Sequence, residues 1–228
     1  MNFYVVGVGP GDPDLITLAA LRTLREAGLI VVPLSAPGKE SEAERIVRSH
    51  LPDAPILQIV FPMVRDEARR DAELRSQLEA CRSRWEDVPS VVMPVIGDSA
   101  LYATAFWLAK AWSQLTDVQL QLVPGVSAHS LACCLTGQFL AMGDDVFSVI
   151  PGTAAEERIT QALRACDCAA LYKPSALKGR LRKIVASAGP WRQVIRVDRA
   201  GLDGQKIVSG PEALDEASEY LSTLLLWR

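Results

Sequence analysis

Three glycine-bearing segments stand where an apolar run gives way to a helical one. Gly7-Val8-Gly9-Pro10-Gly11-Asp12-Pro13 follows the first run, Ile96-Gly97-Asp98-Ser99-Ala100-Leu101 a later one, and Pro124-Gly125-Val126-Ser127-Ala128-His129 a third. Glycine lets backbone approach a ligand closely, and loops at the carboxyl edge of a parallel sheet are where such folds place small-molecule sites. A dinucleotide loop of the form G-x-G-x-x-G would need its third glycine at position 12, where Asp12 stands and would repel a pyrophosphate. That disfavours a nicotinamide oxidoreductase. Each segment alone reads equally well as a tight turn, and Asp98-Ser99 alone reads as a helix N-cap, a device worth about 1 kcal/mol. Their conjunction is what points to loops facing one another across a crevice. His129 invites a reading as a base, although a single histidine beside an apolar helix is more often packed or solvated.

Two basic series complete the polar inventory: Lys173, Lys178, Arg180, Arg182 and Lys183, and Arg65, Arg69, Arg70, Arg75, Arg82 and Arg84. Solvated helix faces explain most of them, while arginines at a crevice rim would suit a substrate rich in carboxylates. The five cysteines include the neighbours Cys133 and Cys134 and the pair Cys166 and Cys168, and neither spacing is that of a zinc or redox site. With only two histidines in the chain, no metal site is expected and the cysteines read as buried, reduced thiols. A net charge of -3 over 228 residues gives no general electrostatic reason to bind nucleic acid or an anionic membrane surface. The start of the chain lacks a signal-peptide pattern and the apolar runs are too short to span a bilayer, so cytoplasmic residence is expected.

The elements that must position these loops follow from periodicity. Short β-branched runs at 3–8, 29–33, 56–60, 90–95 and 119–123 alternate with helical stretches, among them 14–27 and 66–85, the pattern of parallel βαβ units. Beyond Pro124-Gly125 come helices at 127–135, 155–165 and 176–188 and strands at 146–150, 169–172, 193–197 and 220–227. Residues 205–208 after Asp203-Gly204 read as a hairpin arm, which brings antiparallel pairing into this half. The expectation is an α/β protein of two α/β domains, 1–123 with a parallel sheet and 124–228 with a mixed one, and a ligand cleft between them.

Taken in order, these segments resemble the tetrapyrrole (corrin/porphyrin) methyltransferase family, and within it the branch acting on carbon 20 of precorrin-2 or cobalt-factor II. The residues that carry the likeness are Val6 through Leu18, Gly38-Lys39-Glu40-Ser41, Gly97-Asp98, Val123-Pro124-Gly125-Val126-Ser127, and Gly143-Asp144-Asp145 followed by Val149-Ile150-Pro151-Gly152-Thr153. Ser99 stands where the family usually has proline, and Tyr172-Lys173-Pro174 where relatives carry a Lys-Val-Gly or Met-Gly pair. The resemblance implies S-adenosylmethionine as methyl donor, contacted by Pro10, Ile96, Gly97, Asp98, Leu101, Ser127, Ala128 and Lys173. It also implies a tetrapyrrole substrate and a homodimer. Asp12, at the mouth of the implied cleft, is the candidate base for removing a proton after methyl transfer.

Overall fold

A computed structural model describes residues 1–62, 64, 66–215 and 219–228. The chain divides into two compact units, Met1–Ser127 and Ala128–Arg228. Arg65 of the basic series lies outside the described residues.

The first unit is built on five parallel strands, β1 (Asn2–Gly7), β2 (Leu29–Leu34), β3 (Ile56–Val60), β4 (Ser90–Val95) and β5 (Gln119–Val123), in the order β3-β2-β4-β1-β5. Near-continuous apolar strands suit a sheet covered on both faces. One face, with Phe3, Val5, Val31 and Met93, packs on α3 (Glu67–Ala80) and α4 (Ala105–Ser113) through Leu74, Leu78, Leu108 and Trp112. The other, with Val6, Val8, Ile30 and Val32, packs on α1 (Leu18–Arg25) and α2 (Glu42–His50) through Ala20, Leu24, Ile46 and Val47. Three helices start on a side-chain cap: Thr17 accepts from Ala20 N–H, Ser41 from Glu44 N–H and Asp66 from Arg69 N–H.

The helix expected over 14–27 is broken. Pro13–Leu15 form a 3-10 turn capped by Asp12, Ile16 is extended, and the chain restarts on the Thr17 cap. Leu15, Leu18, Leu21 and Leu24 therefore do not form one buried stripe, and Leu18 is 80% exposed. Likewise 66–85 ends its α-helix at Ala80 and continues as a 3-10 turn over Arg82–Arg84. Trp85 then folds back, its Nε1 donating to Leu78 O at 2.8 Å.

The second unit carries a mixed sheet of β6 (Phe147–Pro151), β7 (Cys168–Tyr172), β8 (Gln193–Asp198), β9 (Lys206–Ser209) and β10 (Ser222–Trp227), ordered β6-β7-β10-β8-β9. Only β6 and β7 run parallel; β10 is antiparallel to both neighbours, and β9 is the expected hairpin arm on β8. Helices α6 (Glu156–Arg164) and α7 (Leu181–Ala188) cover one face through Ile159, Leu163, Ile184 and Val185. On the other, α5 (Ala128–Thr136) packs Ala132 and Cys133 against Cys168, Ala170 and Leu225. The helix expected from 176 begins only at Leu181: Lys178 has φ 51°, which interrupts α-helical bonding and leaves a 3-10 segment over Pro174–Arg180.

Two arginines tie this unit together. On β8 the buried Arg196 donates from Nε to both Asp198 oxygens (3.1 and 3.2 Å) and from Nη1 to the carbonyls of Ala213 and Asp215. Arg228 donates to the carbonyls of Cys166, Leu163, Ala188 and Pro190, so a cation meets the C-terminal ends of α6 and α7 where carbonyls lack helical partners. The thiols are all free, but Cys134 is exposed and Cys81 half-buried, which corrects the expectation that all five are buried. Burial pushes the Cys133 thiol up to about 11 and also raises Cys81, Cys166 and Cys168.

Among the described residues no helix is long and apolar enough to cross a membrane.

Candidate functional site

The carboxyl ends of β4, β1 and β5, adjacent in the first sheet, bring the three glycine segments together. Gly97 N–H donates to Gly9 O at 2.8 Å and Gly9 N–H to Gly97 O at 3.3 Å, so the first two loops pair backbone to backbone. Both glycines have positive φ, 82° at Gly9 and 80° at Gly97, a conformation that costs an L-residue roughly 1–2 kcal/mol. Gly7 and Gly125 are required for a different reason. A Cβ on Gly7 would lie 2.7 Å from Gly97 O and from Gly125 N, and one on Gly125 would collide with Gly97 O and Gly7 C. At Gly97 the place of a Cβ is open, with Val126 O the nearest atom at 4.0 Å.

Asp98 locks the joint. Its Oδ1 accepts from Ala100 N–H and its Oδ2 from Gly125 N–H, each at 2.9 Å. The N-cap reading of Asp98-Ser99 is thereby overturned: the next helix starts at Ala105 behind Thr104, and the carboxylate instead straps the second loop to the third. Ser99 is buried and its hydroxyl has no hydrogen-bond partner among the described residues.

The other anticipated positions are distributed around these loops. Pro10 is buried, and Ile96, Leu101, Ser127 and Ala128 are half-buried. Asp12 is exposed, and its Oδ1 accepts from Asp14 N–H at 2.9 Å. Its loop is held by α2, from which Arg45 donates to Gly11 O at 2.7 Å and His50 Nε2 lies 3.0 Å from Pro13 O. Neither contact was legible from spacing, because the partners lie 34 and 37 residues apart.

In the second unit, Ala128 opens α5 and Lys173 follows β7 in left-handed conformation, φ 55°. Lys173 N–H donates to Ser222 O at 3.1 Å, and its Nζ stands 5.1 Å from the centre of the Tyr220 ring. His129 pairs with Tyr172, its Nδ1 lying 2.7 Å from the hydroxyl, a partner 43 residues away that the sequence around His129 does not reveal.

Much of the basic series is engaged at the surface. Arg180 pairs with Glu156, Arg182 with Asp215 and Arg69 with Glu73, contacts of the sort that contribute at most about 1 kcal/mol each. Among the described residues no group of three or more His, Cys, Asp or Glu could hold a metal ion.

Residues 2–215 match the family model for tetrapyrrole (corrin/porphyrin) methylases. The chain is 27% identical over 230 aligned positions to the precorrin-2 C(20)-methyltransferase of Sinorhizobium sp, covering 97% of this chain and 93% of that protein. It is 29% identical over 228 positions to the cobalt-precorrin-2 C(20)-methyltransferase of Salmonella typhimurium, covering 99% and 95%. In fold it resembles the uroporphyrin III C-methyltransferase of Thermus thermophilus, with TM-score 0.70 and 20% identity over 100% of this chain and 92% of that one. A parallel sheet whose central strand ends meet in glycine loops is thus found in a chain matched by the family model from its second residue to 215, and the chain belongs to the tetrapyrrole methylase family.

Proposed function

We propose that this chain transfers a methyl group from S-adenosylmethionine to carbon 20 of precorrin-2 or cobalt-factor II. The observation that carries the reading is the glycine joint of the first sheet, in a chain similar over nearly its whole length to two carbon-20 enzymes. The donor set fits a nucleoside with an amino-acid tail: backbone at Ile96-Gly97 with open space where a Gly97 Cβ would stand, small residues at Ser127-Ala128, and the apolar side chains of Pro10 and Leu101. Those residues and Lys173 are proposed to hold the cofactor. Asp98 is proposed to act on it chiefly through the loops it straps.

When bound, S-adenosylmethionine supplies a methyl group already activated by its sulfonium. The work left to the chain is orientation of donor and acceptor and exclusion of water, of which orientation alone contributes on the order of 7–11 kcal/mol in favourable cases. Asp12, exposed and fixed by its own turn, is proposed to accept the proton that the methylated carbon releases.

The test incubates the protein with labelled S-adenosylmethionine and either the metal-free or the cobalt-loaded tetrapyrrole, and identifies the product by mass spectrometry and NMR. A single methyl at carbon 20 is expected. No methylation of either tetrapyrrole would sink the reading. Methylation of another position on the macrocycle is a second reading, which the same NMR spectrum identifies; the departures at Ser99 and Tyr172-Lys173-Pro174 favour a third, a cofactor-binding homologue without turnover, which would bind S-adenosylmethionine and form no product. The family resemblance also supports a homodimer, to be checked by sedimentation.

A further inference from the structure

The start of α5 is attached to the end of β7 by a side-chain pair that plays no part in the glycine joint. The Tyr172 hydroxyl lies 3.2 Å from the His129 backbone N–H and 2.7 Å from His129 Nδ1. An amide N–H can only donate, so the phenol oxygen is the acceptor there. In the Nε2–H tautomer the phenol proton points to Nδ1, which then accepts. The His129 ring also stands 5.4 Å from Phe147 and 6.0 Å, edge-on, from Tyr172.

The anchor side of this pair is tightly packed. Tyr172 O accepts from Gly152 N–H at 2.7 Å, and backbones there approach so closely that a Cβ on Gly152 would lie 2.5 Å from Lys173 O. The suspended side is the first turn of a helix, whose N–H groups have no partner within the helix. Tyr172 supplies one from 43 residues away.

We propose that the His129–Tyr172 pair is a positioning latch that sets cofactor affinity by fixing Ala128 relative to Lys173. This rests on the reading of Ala128 and Lys173 as cofactor residues. Neither His129 nor Tyr172 is assigned a contact with reacting atoms.

Three variants test the latch: Tyr172→Phe, His129→Leu and His129→Asn. Asparagine Oδ1 branches from Cγ as Nδ1 does, so it keeps an acceptor where leucine has none. Binding of S-adenosylhomocysteine is measured by calorimetry, and the imidazole nitrogen shifts of His129 by NMR on the cofactor-free protein. The expected spectrum is that of the Nε2–H tautomer, with Nδ1 as acceptor. His129→Leu, which loses the side-chain contact alone, should weaken binding about three- to tenfold, the effect of one neutral hydrogen bond. Tyr172→Phe, which loses the amide contact too, should weaken it at least as much, while His129→Asn stays within about twofold of the parent.

If the parent binds and Tyr172→Phe and His129→Leu bind equally well, the latch is wrong and the cofactor reading stands. If His129→Asn falls as far as His129→Leu, packing and not the hydrogen bond is responsible, and the latch is again wrong. A protonated Nδ1 in the parent would overturn it independently. A parent that binds no S-adenosylhomocysteine overturns the cofactor reading, and the latch with it. Should His129→Leu fail to fold, Tyr172→Phe, which removes one oxygen atom, carries the comparison.

Discussion

In the first unit the strand ends are joined by main chain: Gly9 and Gly97 exchange hydrogen bonds, Gly7 and Gly125 approach too closely for any side chain, and one carboxylate straps the result. In the second unit the end of β7 reaches α5 through a phenol and an imidazole, and a lysine holds the left-handed position that follows. A joint of main chain leaves no room for an added methyl group. One built of side chains tolerates replacements that preserve the hydrogen bond.

The contrast extends to the buried arginines and gives the largest expected effects. Arg196, paired with Asp198 and two carbonyls in the second unit, should be costly to replace: Arg196→Met leaves Asp198 buried without its cation, a loss of about 3–5 kcal/mol by urea denaturation. Arg70 is similarly buried in the first unit, where its guanidinium lies 3.7 Å over the Trp107 ring, but Nε and Nη2 have no hydrogen-bond partner among the described residues. Arg70→Met removes unsatisfied donors along with the stacking and a 3.8 Å ion pair with the exposed Glu67, so its stability should stay within about 1 kcal/mol of the parent. Equal losses for the two variants would break the contrast.

Gly125→Ala should cost about 3 kcal/mol, the upper part of the usual overpacking range, because the added methyl meets backbone that has nowhere to retreat. A crystal structure of this variant should show the loops of β1 and β4 displaced; an unchanged joint with parental stability would refute the account of it. Asp98→Asn should cost about 1.5–2 kcal/mol, since the amide keeps one acceptor but turns its NH2 toward a backbone donor. Stability and S-adenosylhomocysteine affinity should fall together if Asp98 acts as a strap. A loss of affinity alone would mean that the carboxylate touches the ligand directly. The smallest effect belongs to Ser99→Ala, which removes a buried hydroxyl without a hydrogen-bond partner among the described residues and should leave the unfolding free energy within about 0.5 kcal/mol of the parent.

What was legible in the sequence was whatever periodicity or local chemistry controls. Strands β3, β4 and β5 fall on the residues their apolar runs mark, and Asp203-Gly204 announced the antiparallel β9. The leucines from 15 to 24 misled because helical spacing does not reveal that the chain leaves the helix at Ile16. The break at Lys178 was missed because nothing in that residue type favours positive φ. In the site, glycine marked the loops, but the partner of Asp98 lies 27 residues on and that of His129 43 residues on. Such pairings are made by tertiary structure, and no local pattern encodes them.

The place of β10 has a consequence for biosynthesis. It lies between β7 and β8, so during translation the other four strands of its sheet leave the ribosome before the strand that joins them. The Met1–Ser127 unit has all its strands in hand by Val123 and can fold while the rest is still being made, as N-terminal units generally do at roughly 5–20 residues per second. Until Ser222–Trp227 emerges, β7 and β8 each expose an unpaired edge, the kind of surface on which nascent chains aggregate. Chaperone dependence and ribosome-bound intermediates are therefore expected to concentrate in the second half of synthesis.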